Sequence, residues 1–119
     1  METSKNARVY RMSFASVYPL YVAKVEKKGR TKAELNDVIE WLTGYNEKQL
    51  SRVIEAQLTF EEFFSKAPLL NPKRKQINGM ICGIKVQDIS EPLMQEIRYL
   101  DKVVDELARN KTIGTIKRS

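Results

Sequence analysis

A chain of 119 residues has room for one hydrophobic core and not two, and 42% apolar with 30% charged residues describes a globular chain rather than a disordered one. A net charge of +6 and a pI near 9.5 raise the question of an anionic partner. The absence of histidine and the single cysteine, Cys82, exclude Ser/His/Asp triads, Cys/His dyads, His-containing or cysteine-based zinc sites and any intramolecular disulfide.

Catalysis is left with carboxylate, Lys, Tyr, Ser/Thr or Cys chemistry, or with an oxygen-ligated ion such as Mg²⁺, for which no Asp-rich loop offers a cage. No cofactor is expected. The opening Met-Glu-Thr-Ser-Lys-Asn lacks the apolar core of a secretory signal, and no apolar run approaches the roughly 18 residues of a membrane span. The expectation is a cytoplasmic protein with no membrane association.

In chain order, Ser16 to Lys28 read as the first helix, with Phe14, Val17, Tyr18, Tyr21 and Val25 on one stripe. Pro19 falls in its opening turn, and Gly29 ends it in a left-handed cap. Thr31 and Glu34 form a capping box ahead of Leu35, Val38, Ile39 and Leu42, a second helix closed by Gly44. Asn46 with Gln49 opens a third, carrying Leu50, Val53, Ile54 and Leu58. Thr59 with Glu62 opens a fourth around Phe60, Phe63 and Phe64, and Pro68 stops it.

Residues 69 to 89 are ambiguous. Asn71-Pro72 looks like a helix start, while Ile77, Met80, Ile81 and Ile84 fit a helix interrupted by Gly79 and Gly83, and Ile84 with Val86 alternates like a strand. A short helix followed by an extended or turn-like segment is favoured. The final helix runs from about Ser90 to Arg109, with Pro92 in its first turn and Leu93, Ile97, Leu100, Val104 and Leu107 on one seam. The expected fold is an all-α single domain of about five helices over residues 8 to 109, between loose tails at 1 to 7 and 110 to 119.

Charge is segregated along the chain. Residues 1 to 33 carry +6, 34 to 66 carry −4, 67 to 87 carry +4, 88 to 106 carry −4 and 107 to 119 carry +4. Mutual compensation across the fold is the plainer expectation. The alternative brings Lys27, Lys28, Arg30 and Lys32 beside Lys73, Arg74 and Lys75 as a phosphate-binding patch.

Several constellations bear on function. The helix, Gly44-Tyr45-Asn46 turn and helix resemble a DNA-binding helix-turn-helix, but Glu40 occupies the position where that motif needs a small residue, and Glu47 and Glu55 would face phosphate. A helical hairpin is the better reading. The apolar neighbours of Cys82 argue for a buried thiol, and the Gly79/Gly83 spacing suggests close backbone packing rather than a phosphate loop. Arg8, Tyr10, Arg11, Ser13, Tyr18 and Tyr21 interleave aromatic and cationic groups that can stack bases or carry a peptide, although tyrosines at helical spacing more often edge a core. Trp41 is expected in the core. On the last helix Arg98, Tyr99, Asp101, Lys102 and Asp105 face away from the apolar seam, and like-charge pairs at four-residue spacing there call for cross-helix partners.

Five ordered blocks, Arg8-Val-Tyr-Arg-Met-Ser-Phe-Ala-Ser-Val-Tyr-Pro-Leu-Tyr-Val22, Trp41-Leu-Thr-Gly-Tyr45, Ala67-Pro-Leu-Leu-Asn-Pro72, Gly79-Met-Ile-Cys-Gly83 and Pro92-Leu-Met-Gln-Glu-Ile-Arg-Tyr-Leu-Asp101, resemble a family of small bacterial proteins known as domain of unknown function 2200. The resemblance runs from about Arg8 to Arg109. It implies a bacterial, cytoplasmic, free-standing domain and no particular activity.

The expected function is a non-enzymatic binding or regulatory module acting on a protein partner or as a homo-oligomer. One alternative is nucleic-acid binding through the basic segments 24-32 and 73-75, which include Lys73, Arg74 and Lys75. Another is a small-molecule binder or enzyme without His or metal chemistry, built from Arg8, Tyr10, Ser13, Tyr18, Asn71 or Arg98 around a pocket.

Overall fold

Ser13 divides the N-terminal helical segment in two. In the computed structural model, which describes residues 6–118, α1 (Ala7–Arg11) stops at Met12 and Ser13 turns extended. The Ser13 Oγ then accepts the Ser16 backbone N–H at 3.1 Å and starts α2 (Phe14–Glu26). Phe60 N–H donates to the Met12 carbonyl at 2.9 Å and Phe14 N–H to the Leu58 carbonyl at 2.8 Å, so the break is pinned to the segment around Thr59. Residues 1 to 5 of the expected N-terminal tail lie outside the described residues; Asn6 and Ala7 belong to the fold, Asn6 Nδ2 donating to Glu91 at 3.1 Å.

The next three helices, α3 (Lys32–Thr43), α4 (Glu47–Glu55) and α5 (Phe60–Ser65), start at the capping boxes foreseen. Thr31, Asn46 and Thr59 each accept the N–H three residues on, at 3.1, 2.8 and 3.1 Å. Glu34, Gln49 and Glu62 accept the cap N–H in return, at 2.9 Å each. The arrangement holds the Glu34 and Glu62 carboxyls below their ordinary range, through Arg30 first and then the Thr31 N–H for Glu34, and through the Thr59 N–H for Glu62. Leu58 falls outside α4, in the connection to α5.

Gly44 closes α3 at φ +81°, and a β-carbon there would stand 2.6 Å from the Leu69 backbone nitrogen. The close approach has a purpose. Leu69 and Asn71 N–H groups donate to the Thr43 and Leu42 carbonyls at 3.1 and 3.0 Å, satisfying the last turn of α3 with an extended crossing segment.

The ambiguous stretch resolves into a 3₁₀ turn at Pro72–Gln76 and a hairpin of β1 (Met80–Ile81) and β2 (Ile84–Lys85), antiparallel, with Met80 opposite Lys85 and Ile81 opposite Ile84. The short helical turn from Pro72 and the extended segment after it follow the favoured reading, while Ile77, Met80, Ile81 and Ile84, which also fit helical spacing, lie beyond the turn and in the hairpin. Cys82 at φ +53° and Gly83 at φ +78° make the two-residue turn, whose backbone needs positive φ at both places. Nothing approaches within 4 Å of a β-carbon built on Gly83, and one on Gly79 meets only the Lys102 side chain, so neither glycine serves close backbone packing: Gly83 makes the turn, and Gly79 at φ +106° accepts the Val86 N–H at the base of the hairpin.

α6 (Pro92–Ala108) is the central element, packed against α2, α3, α5 and the hairpin, and α7 (Ile113–Ile116) lies across α3 and α6. The whole is all-α apart from the two-stranded hairpin, with seven α-helices among the described residues; α1 and α7 are short additions to the five expected. The core centres on Phe14 and Phe63, both fully buried with rings stacked at 4.3 Å, and Trp41 packs half-buried at its edge. Tyr99, placed by its helical position on the face away from the seam, is instead buried, because the core wraps more than one stripe of α6.

The C-terminal residues 110 to 118 are not a loose tail. Ile116 is fully buried, Lys117 pairs with Asp37 at 2.9 Å, and Arg118 holds the buried Glu106 at 2.5 and 3.0 Å. Among the described residues, no helix is long and apolar enough to cross a membrane.

Candidate functional site

The middle of α6 carries a polar network set into apolar surroundings. Tyr21, buried on α2, donates its hydroxyl to Asp101 Oδ1 at 2.6 Å, and Arg98 Nη1 donates to Asp101 Oδ2 at 2.7 Å. Burial first, and the Asp101 charge second, push the Tyr21 hydroxyl well above its ordinary range, so it stays a donor. Arg98 Nη1 also lies 3.5 Å from Cys82 Sγ at the hairpin tip, and one turn further along α6 Lys102 donates to the Met80 carbonyl at 3.1 Å. Arg98 Nε is buried and has no acceptor.

This network floors a cleft of about 210 Å³. Val9 and Met12 wall it from α1 and its end, Val17 from α2, Phe60 from α5 and Ile97 from α6. Of these walls, Met12 is 40% exposed. Cys82, expected to be buried, is exposed: a two-residue turn projects its central side chains into solvent whatever their polarity.

Of the residues singled out in the sequence, the fold brings Tyr21 and Arg98 together and sets Arg8 and Arg11, both exposed, on α1 beside the cleft wall. Tyr10 points elsewhere, bonding Glu91 at the start of α6; burial and then Glu91 raise its hydroxyl. Ser13 is a helix cap. Tyr18 donates to Asn36 at 2.5 Å beneath Lys32, whose ammonium sits 5.8 Å from the ring centre. Asn71 caps the 3₁₀ turn and donates to the Trp41 carbonyl at 3.2 Å. These are structural bonds, and the expected common pocket of Arg8, Tyr10, Ser13, Tyr18, Asn71 and Arg98 does not form.

The two basic segments are also kept apart. Arg74 holds Glu96 at 2.8 to 3.1 Å, whereas Arg30 donates to the Leu107 and Lys111 carbonyls at 3.2 and 2.8 Å. Positions 96 and 107 are roughly 16 Å apart along a helix rising about 1.5 Å per residue. Lys24 is engaged by Asp105 at 3.3 Å, while Lys27, Lys28, Lys73 and Lys75 stand exposed.

The model of one family, described as an uncharacterized protein conserved in bacteria, domain of unknown function 2200, matches residues 8–118. The chain belongs to this family. The match reaches beyond Arg109 to include the C-terminal segment that packs on α3 and α6. A crystal structure of uncharacterized protein SP1917 is similar to this 2200-family chain at a TM-score of 0.88, with 40% identity over 98% of this chain and 95% of the other. No curated protein matches.

Sequence reasoning missed the cleft walls Val9, Met12, Val17 and Phe60 and the double role of Asp101. A signal existed for the hairpin tip: Cys82-Gly83 between isoleucines is a two-residue turn flanked by apolar residues.

Proposed function

We propose that this domain is a non-enzymatic binding module for a protein partner, which seats one apolar side chain in the cleft between α1, α2 and α6. The observation that carries this reading is the cleft itself: about 210 Å³, walled by Val9, Met12, Val17, Phe60 and Ile97, with Met12 exposed at its edge. That volume is below the roughly 300 to 1,000 Å³ of small-molecule sites, yet suits a protruding anchor residue surrounded by a flat contact. A nucleic-acid role has less support, because Lys24, Arg30 and Arg74 are engaged within the fold.

The test compares the wild-type chain with Val17→Glu, both shown to be folded by circular dichroism. Proteins captured from a bacterial lysate are purified and titrated calorimetrically against each. A partner that binds wild type and is weakened about a hundredfold or more by Val17→Glu supports the reading. Equal binding to both, or turnover of a substrate at the cleft, overturns it; sedimentation showing a wild-type dimer abolished by Val17→Glu identifies a second copy as the partner.

A further inference from the structure

Among the described residues, Arg30, Arg74, Arg98 and Arg118 have side chains 12%, 15%, 21% and 15% exposed. Three of these grip a carboxylate with two nitrogens. Arg30 gives Nε and Nη2 to Glu34, Arg74 gives the same pair to Glu96, and Arg118 gives Nη1 and Nη2 to Glu106. Arg98 is different: its bonds to Asp101 and Cys82 both leave from Nη1, and its buried Nε has no acceptor.

We propose that a carboxylate of the partner occupies the Nε–Nη2 edge of Arg98, next to the apolar anchor in the cleft. This rests on the docking reading above and names the chemistry the partner brings. Asp101 does not fill the edge, since one of its oxygens accepts from Tyr21 and the other from Arg98 Nη1. A planar guanidinium edge takes two oxygens in parallel, which a carboxylate supplies and an amide does not. The neighbouring charge favours an anion: Arg98 and Asp101 cancel, whereas Arg8 and Arg11 are exposed on α1 beside Met12, and Lys102 follows one turn along α6. On binding, the side chain turns so that its buried Nε–Nη2 edge faces the partner's oxygens, and Nη1 gives up its 3.5 Å contact with Cys82 Sγ. The partner motif is therefore an apolar residue adjoining Asp or Glu.

The experiment titrates the full chain with acetyl-Leu-Glu-Leu-amide and with acetyl-Leu-Gln-Leu-amide, following the Arg98 Nε–Hε resonance and the Met12 methyl by NMR. The Glu peptide is expected to move both saturably and to bind about tenfold or more tightly than the Gln peptide. Arg98→Lys and Arg98→Gln, folded by their amide spectra, should each lose that discrimination while the Met12 methyl still responds. Equal affinity of the two peptides, with Arg98 Nε–Hε unmoved, overturns the carboxylate assignment and leaves the docking reading in place. An unmoved Met12 methyl with both peptides overturns the docking reading as well. Saturable movement of Nε–Hε by inorganic phosphate, absent with the Glu peptide, makes this a free-anion site and also overturns the proposal.

Discussion

The C-terminal end of α6 and its middle carry the same pair of groups, an arginine on a carboxylate at the edge of the core, finished in two ways. At the end, Arg118 meets Glu106 with two nitrogens, and Ile116 beside it is fully buried. In the middle, Arg98 meets Asp101 with one nitrogen, a second is stranded, and the cover is a two-residue hairpin with an exposed thiol. A closed pair holds the fold together. An open pair leaves hydrogen-bonding capacity for something outside it, and it is on this contrast, rather than on the basic composition, that the proposed docking site rests.

The contrast can be broken most forcefully at Glu106. Arg118→Met leaves a carboxylate only 5% exposed without its cation, and the loss should be about 3 to 5 kcal/mol in urea denaturation. A loss under about 1 kcal/mol would show that the C-terminal segment does not clamp the fold. The tyrosines come next. Tyr45 donates to the Phe63 carbonyl at 2.5 Å, and burial pushes its hydroxyl from the ordinary 10.0 up to about 12. A hydroxyl protonated longer in the fold than in the unfolded chain contributes fully below pH 10.0, and its contribution disappears as pH rises from there towards 12. Tyr45→Phe should cost about 1 kcal/mol at neutral pH and flatten that alkaline fall, read from denaturation midpoints at neutral and alkaline pH.

Tyr21→Phe should cost about 1 kcal/mol at neutral pH by taking a donor from Asp101, and should also reduce the alkaline loss, since Tyr21 is raised in the same direction. Arg98→Met is expected to cost about 1 kcal/mol or less, because it removes an unpaired N–H together with the charge. A cost equal to that of Arg118→Met would end the distinction between closed and open pairs. The smallest effect is at the hairpin tip, where Cys82→Asn should stabilise by about 0.5 kcal/mol, asparagine being better suited to positive φ.

Helices α3, α4 and α5 were legible because each announces itself with a capping box, a signal local to four residues and independent of tertiary context. The hairpin was legible only as an extended or turn-like segment, since strands of two residues alternate too briefly to fix a register and Ile77, Met80, Ile81 and Ile84 also satisfy helical spacing by accident. The C-terminal segment misled for another reason: Lys111, Lys117 and Arg118 make it look solvated, while its burial depends on Ile116, on the partly buried Ile113 and on two carboxylates outside it, Glu106 and the distant Asp37. Tyr21 and Arg98 were both identified as candidates, but nothing in the chain joins positions 21 and 98 until α2 and α6 pack and Asp101 comes between them. Periodicity locates faces of elements; it does not say which faces meet.

With one cysteine in 119 residues, and that one exposed at the hairpin tip, the chain carries a single thiol handle. A maleimide dye would attach at one place only, within reach of the Arg98 guanidinium. The emission of such a conjugate would respond to a change around Arg98, and so would give the proposed docking an optical readout with no engineered residue required.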